Sequence, residues 1–363
     1  MAFAELYYPV FVVLVFLITL FQSAKIYSFS DQQLLYGGYK INGIWLFCIL
    51  FIVVVGLRPS SALCFGDSEA YAWFYKDMQM GQAMYNEEGS DVLFYSFMYF
   101  CSQHVSVNIF FLIIEIGYVV PIIVFCKKIF TNNASLAMLF CLGAFSFFSY
   151  GTNGLRHGLA SSLVLLAYCF WCSNKRVSRI LSVIPAFVAY SIHGSIILPI
   201  LVFLITYYFS NTKLFMAFWV VSIAISLMAG GFITSIVPDL GYSDERLDKY
   251  LSSSMQQFRY DFLLYSIVPI IFGYIAVVKK KVTDKIYLNL LNTYILCNAF
   301  WVLVIHAKYS NRFAYLSWFL YPIVLAYPLL KTHIWKRHAR ITSITLFVHI
   351  FFTLIMMVRD LFR

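Results

Sequence analysis

Charged side chains are scarce in this sequence: Asp, Glu, Lys and Arg together make up 12% of the 363 residues, against 62% hydrophobic residues and a mean hydropathy of +0.81. A chain with so few polar groups cannot cover a water-facing surface, which excludes a soluble domain and leaves a polytopic membrane protein. Acids are scarcer than bases, 16 against 26, so the net charge is +10. In a soluble protein that excess would point to nucleic acid. Here the bases lie in short clusters between apolar runs, where they report orientation in a bilayer, and no nucleic-acid partner is expected.

Other absences narrow the chemistry. There is no His/Glu pair at helical metal-site spacing, no Cys₂His₂ spacing and no Gly-rich phosphate loop, so neither a metal nor a nucleotide cofactor is expected. A Gly-x-Ser-x-Gly elbow is missing too, as is any internal repeat of about 20 to 50 residues. Of the eight cysteines, Cys48, Cys126, Cys141, Cys169, Cys172 and Cys297 fall in or beside apolar runs and read as small apolar side chains. Cys64 and Cys101 share one long early loop and would be disulfide candidates if that loop is extracytoplasmic. No basic residue precedes the first apolar run and no small-residue cleavage site follows it, so that run is expected to be a retained span.

What is present in abundance is apolar sequence. Runs of roughly twenty residues, with a few shorter ones, give about twelve spans. They cover approximately 7–23, 43–57, 105–126, 134–150, 155–172, 178–192, 194–209, 214–236, 261–278, 286–305, 311–330 and 342–358. The block from 178 to 209 is split at Ser191-Ile192-His193-Gly194; a single long span is the alternative. The expected fold is all-α, a polytopic transmembrane helical bundle forming one integral membrane domain over 1–363. Two outer loops, 58–104 and 237–260, are expected to carry short amphipathic helices.

The loops sort into two sets. One holds the basic clusters, from Lys25, Lys40 and Lys127-Lys128 through Lys175-Arg176, Arg179, Lys213, Lys279-Lys280-Lys281 and Lys285 to Lys331, Lys336-Arg337 and Arg340, with only Asp31 and Asp284 as acids. By the positive-inside rule this set is cytoplasmic, and both termini are then outside. The other set gathers Arg58, Asp67, Glu69, Arg156, His157, His193, Arg259, Asp261, His306, Lys308 and Arg312 on the outer face. A purely structural membrane protein has little reason to place arginines and histidines there, against the positive-inside bias, so these residues read as a site.

At the centre is Asn153-Gly154-Leu155-Arg156-His157-Gly158-Leu159-Ala160, where one apolar run stops and the next begins. It puts Arg156 and His157 on the first turn of a helix at the membrane surface, where free N–H groups and the helix dipole favour an anion. A snorkelling arginine is the structural alternative. Arg259 abuts a span, and with Arg156 and Arg312 it would suit one pyrophosphate, because guanidinium forks pair bidentately with phosphate oxygens. In the first outer loop Asp67 and Glu69 stand beside Tyr71 and Trp73, acceptors and rings of the kind that bind sugars. Residues 70–80 also read as an amphipathic helix in the interface. The mixed charges Asp244, Glu245, Arg246, Asp248 and Lys249 read as a solvated helix. Glu115 lies in the middle of a span, where it is expected to be protonated or paired, and His349 reads as a satisfied polar residue.

Taken in order, Gly56-Leu57-Arg58, Gly66-Asp67-Ser68-Glu69-Ala70-Tyr71, Asn153-x-Leu155-Arg156-His157-x-Leu159-Ala160, His193-x-Ser195 and Asn311-Arg312-Phe313-Ala314-Tyr315 resemble the EpsG-like family of Wzy-type polysaccharide polymerases. The resemblance implies a metal-independent GT-C-like glycosyltransferase of the bacterial inner membrane. Such an enzyme would transfer an undecaprenyl-pyrophosphate-linked oligosaccharide onto a lipid-linked repeat unit at the periplasmic or outer face, with a flippase and a chain-length regulator as partners. In that chemistry the leaving group is already activated, so the protein must neutralise developing charge, position the acceptor hydroxyl and take its proton. Arg156, Arg259 and Arg312, then Arg58, are the expected pyrophosphate ligands. Asp67, His157 and His193 are the candidate bases, with His157 ranked ahead because His193 sits in a His-Gly-Ser corner that also reads as a turn. Glu69, Tyr71 and Trp73 are the expected sugar contacts. Three other readings stand: a lipid-linked oligosaccharide flippase or transporter, in which Glu115 would be the sensitive residue; a membrane O-acyltransferase; and a ligase of finished chains.

Overall fold

The computed structural model describes residues 3–82, 91–173, 175–236, 258–307 and 309–361. Among them there is no strand, and seven helical stretches are long and apolar enough to cross a membrane. The chain is a multi-pass membrane protein. It divides into two compact units, Met1–Ile196 with Leu329–Arg363, and Ile197–Pro328.

The first unit contains α1 (Tyr7–Tyr27), α2 (Ile44–Gly56), α3 (Ala62–Phe65), α4 (Ser68–Gln79), α5 (Val92–Ser102), α6 (Val107–Phe130), α7 (Ala134–Leu142), α8 (Phe147–Thr152), α9 (Leu155–Trp171), α10 (Arg176–Leu181) and α11 (Val183–Ile192). Its last helix, packed against α1, is named here by its bounds, His338–Leu361. Several expected spans are short: α2 has 13 residues and α9 has 17. Helix α2 stops where Arg58 precedes Pro59, because a residue before proline is pushed out of the α region. Helix α4 is amphipathic as expected, with Ser68, Tyr71, Ala72, Tyr75 and Met78 buried on one face and Trp73 and Lys76 on the other. All eight cysteines are free thiols, so the Cys64–Cys101 disulfide considered from the sequence is not formed.

Several residues of the basic clusters pack against aromatic rings of this unit. Lys127 lies over the Trp45 ring at 4.8 Å and Lys128 over Phe170 at 5.1 Å. The side chain of Asn133 donates to Leu34 O (3.1 Å) and Leu330 O (3.2 Å) and accepts from Tyr39 N–H (2.8 Å). Asp31 accepts from Ala339 N–H at 2.9 Å and pairs with His333 Nε2 at 3.0 Å, which ties the first loop to the start of the last helix.

The second unit contains α12 (Ile197–Tyr208), α13 (Thr212–Ile236), α14 (Tyr260–Gly273), α15 (Lys285–Leu303), α16 (Ser310–Trp318) and α17 (Tyr321–Lys331, whose last three residues lie in the first unit); the His338–Leu361 helix is α18. Its centre is α15, which Asp284 caps by accepting from Tyr287 N–H at 2.9 Å. A polar seam on α15 joins its neighbours. Asn289 Oδ1 accepts from Thr206 (2.6 Å), and Asn298 accepts from Trp219 Nε1 (2.8 Å) and donates to Ser317 (3.0 Å). Where apolar burial gives no drive between helices in lipid, such hydrogen bonds help fix their pairing.

The block 178–209 is not one long span: it is broken at His193 between α11 and α12, and again at Ser182, where α10 ends before α11. Pro185 and Pro199 are each the third residue of their helix, a first-turn position that needs no N–H donor. Between them His193 is extended (φ −152°, ψ 104°). The outer-loop charges Asp244, Glu245, Arg246, Asp248 and Lys249, together with Lys308, lie outside the described residues.

Candidate functional site

The site of the first unit forms where two sequence motifs meet. Gly66 has φ +52°, and a Cβ there would lie 2.3 Å from Asn153 Oδ1. The same oxygen accepts the Asp67 N–H at 2.9 Å, one of the free donors at the start of α4. Glycine is therefore required twice, by conformation and by proximity. Ser68 Oγ then donates to Thr152 O, the carbonyl just before Asn153.

Arg58 sits beneath this junction with none of its surface exposed. Its Nη1 donates to Val55 O (2.8 Å), and its Nη2 donates to Ser68 Oγ (2.9 Å) and Thr152 O (3.3 Å). Phe111 covers the guanidinium at 4.9 Å. Burial lowers its pKa to about 10 against the opposing pull of Glu115, so the group stays cationic at neutral pH. Glu115 approaches Nη1 to 4.0 Å and is also fully buried, its oxygens pressed against Gly151, where a Cβ would lie 2.5 Å from Oε1. The mid-span carboxylate is thus paired. In this structure Arg58 clamps α2, α4 and α8 together.

The hub of the site is Asp91, which the sequence reading did not single out. It precedes α5 in a left-handed conformation (φ 70°). One carboxylate oxygen receives Arg156 Nη1, and the other lies 3.0 Å from Gly194 N–H and 3.3 Å from His193 Nδ1. Burial acts to raise the Asp91 pKa, but the His193 hydrogen bond and charge, the Arg156 charge and the Gly194 N–H together outweigh it and hold it at about 2. Asp91 is therefore an ionised acceptor at neutral pH. The Gly194 donor is available because the chain has just left one helix and begun the next turn.

Arg156, on the first turn of α9 as expected, also donates from Nε to Tyr71 OH at 2.8 Å. Its guanidinium lies 5.5 Å from the Tyr95 ring centroid and 5.8 Å from that of Tyr71. His157 is 7% exposed, stacked on Tyr150 at 5.7 Å and set edge-on to His193 at 5.2 Å. Gly158 permits this packing of α8 on α9, since a Cβ there would meet Tyr150 O at 2.4 Å.

The structure thus brings Asp67, Tyr71, Arg156, His157 and His193 into one region of the first unit, with Arg58 beneath. Of the expected sugar contacts, Tyr71 is buried and spent on Arg156, Glu69 is half-buried, and Trp73 is exposed on the opposite face of α4 with Lys76 5.8 Å away. Arg259 and Arg312 belong to the second unit. Arg259 holds Asp261 with two hydrogen bonds (2.9 and 2.8 Å) and stacks 3.5 Å from Phe262. Arg312 lies on the first turn of α16, 5.4 Å from the Tyr309 ring. His306 packs edge-on against Phe258 at 5.6 Å.

The signal that would have found Asp91 is its place: of the acids in that stretch it is the one immediately before an apolar helix, where a carboxylate is a natural partner for a nearby guanidinium. Chemically the arrangement offers a fixed guanidinium and an imidazole oriented by a carboxylate, the parts needed to receive negative charge and to move a proton. Among the described residues no group of His, Cys, Asp and Glu is arranged to hold a metal ion.

No curated protein and no solved structure matches the chain. The model of the EpsG family matches residues 42–362, a stretch that contains every residue of the site, and the chain belongs to that family of Wzy-like polysaccharide polymerases.

Proposed function

We propose that the protein is a glycosyltransferase that polymerises a polysaccharide, moving an undecaprenyl-pyrophosphate-linked oligosaccharide onto a lipid-linked repeat unit at the outer face of the cytoplasmic membrane. The observation that carries this reading is the Arg156–Asp91–His193 constellation, with His157 and Tyr71 around it, inside a chain of the EpsG family. Arg156 receives the charge that develops on the departing pyrophosphate, its fork aimed by Tyr71 and Asp91. Preorganised donors of this kind supply much of the rate enhancement when charge builds up on a leaving group. The second unit offers Arg259 and Arg312 as further phosphate ligands, to be tested by their own substitutions. Trp73 and Lys76 suit the membrane interface, with Glu69 left for sugar hydroxyls.

About twelve crossings, a GT-C-like arrangement and outward-facing termini are the topology consistent with this role, since the basic clusters then all face the cytoplasm. A flippase and a chain-length regulator would act beside it. The chemistry asks for no metal or cofactor.

The test is the size distribution of surface glycan from cells lacking the chain, complemented with wild type or with Arg156→Ala. A polymerase predicts a ladder with wild type and single repeat units with the variant. Repeat units accumulating on the cytoplasmic face would indicate a flippase. Full-length chains lacking acyl groups would indicate an acyltransferase.

A further inference from the structure

We propose that Asp91 is a positioning residue of the transfer step, holding His193 in the tautomer whose Nε2 takes the proton from the attacking sugar hydroxyl. The inference rests on the polymerase reading and goes beyond it by assigning the base.

An ionised carboxylate can only accept hydrogen bonds, so the ring nitrogen facing it must carry the proton. Nδ1 is that nitrogen, 3.3 Å from Asp91 Oδ1, which leaves the Nε2 lone pair to act as base. The carboxylate cannot swing away, because Gly194 N–H holds Oδ1 at 3.0 Å and Arg156 holds Oδ2. His193 is free of helical packing constraints, since its backbone is extended between α11 and the turn that opens α12.

Accessibility separates the two histidines. The His193 side chain is 23% exposed, whereas His157 is buried flat against Tyr150. A base must reach an incoming hydroxyl, so His193 fits and His157 serves as a wall of the site. This reverses the order in which the sequence ranks them. The charged and titratable groups facing His193 among the described residues are Asp91 at the start of α5 and Arg156 and His157 on α9, with Tyr71 of α4 and Tyr95 of α5 behind Arg156.

In the step, the acceptor O–H bond breaks and its proton passes to His193 Nε2. The oxygen forms a bond to the anomeric carbon as the carbon–oxygen bond to the pyrophosphate breaks, and that electron pair leaves on the pyrophosphate beside Arg156. Asp91 stays ionised and stabilises the imidazolium, which later returns its proton to solvent or product.

The experiment uses the full chain reconstituted in lipid nanodiscs, with lipid-linked repeat units extracted from cells lacking the chain as probe. His193→Ala, Asp91→Asn and the double variant are compared with wild type in kcat and KM, and binding of inorganic pyrophosphate is measured alongside. We expect His193→Ala and Asp91→Asn each to lower kcat by about 10²- to 10⁴-fold. The double variant should be no worse than His193→Ala. Asp91→Asn should lower kcat far more than it raises KM. A purely structural role for Asp91 would lower kcat further in the His193→Ala background, and this would overturn the proposal. So would near-normal turnover by His193→Ala, a variant that removes only a partly exposed ring and does not depend on Asp91→Asn folding. If wild type itself makes no polymer, the polymerase reading fails first. If wild type polymerises and Arg156→Ala loses pyrophosphate binding while His193→Ala turns over normally, only the present inference fails.

Discussion

Gly66 and Asn153 lie so close that a single methyl group cannot be placed between them: a Cβ on Gly66 would be 2.3 Å from Asn153 Oδ1. The contact joins the two stretches that carry most of the site's polar residues, and Asp67 and Arg156 are positioned from it. Gly66→Ala imposes both a steric clash and a left-handed conformation on a residue with a Cβ, a cost of about 1–3 kcal/mol. The expected outcome is a lower melting temperature of the purified chain and reduced polymer formation. Adding Asn153→Ala removes the clash but not the strain, so the double variant should melt above the value expected from adding the two single losses. Strict additivity would show that the two residues are not in contact.

The Arg58–Glu115 pair carries a second expectation. Among the described residues Glu115 is the one acidic partner of a fully buried guanidinium that holds three backbone segments. Glu115→Ala removes the acidic group beside that cation and empties the space against Gly151, so it should destabilise the chain. Arg58→Lys keeps a charge but loses the fork that reaches Val55, Ser68 and Thr152 together, so it should also destabilise. Thermal unfolding in detergent checks both. A transporter in which Glu115 carries a proton predicts instead that Glu115→Gln folds normally and loses only transport.

Acid should weaken the hub in a defined window. The Asp91 carboxyl has an ordinary value of 3.8 and is held at about 2 in the folded protein. A depressed folded pKa means that the carboxylate's contribution is complete above the unfolded value and is lost as pH falls through the folded one. The difference, 3.8 − 2, corresponds to about 2 kcal/mol. The stability gap between wild type and Asp91→Asn should therefore be flat above about pH 5 and shrink between about pH 4 and about pH 2, as read from melting temperatures. A gap that does not change with pH would mean that Asp91 does not titrate in the hub.

Trp73 distinguishes an interface helix from a sugar platform. It is 64% exposed, on the face of α4 away from Tyr71. If α4 lies in the membrane interface, brominated lipids should quench a fluorescence component that Trp73→Phe removes, while chain length stays near wild type. Loss of polymerisation without lipid quenching would return Trp73 to the substrate.

The sequence made the helical, membrane-embedded character legible because apolar runs are long and the charges between them are few. It also made legible the break at His193, where a His-Gly-Ser corner interrupts apolar sequence, and the amphipathic α4, whose buried residues recur at helical spacing. Arg156 and His193 stood out as candidates from their place at the ends of apolar runs, and the structure brings both to Asp91. The partner that joins them did not stand out, because Asp91 follows a run of acids and looks like one more solvated carboxylate. Its burial comes from contacts with α9 and the α11–α12 break, far away in sequence. The setting of Arg58 was hidden for the same reason. Nothing local says that a cation at the end of α2 meets a carboxylate in the middle of α6. The number of crossings was blurred by short helices such as α2, α10 and α11, which fall below the length at which hydropathy alone marks a span.

The most direct measurement of the central claim is a stoichiometry. The full chain in nanodiscs is supplied with lipid-linked repeat units, and released undecaprenyl pyrophosphate is counted against new glycosidic bonds. The account predicts one pyrophosphate lipid released per bond formed by wild type, and neither product from Arg156→Ala. Transbilayer movement of intact lipid-linked units without bond formation, or polymer formed undiminished by Arg156→Ala, would contradict it.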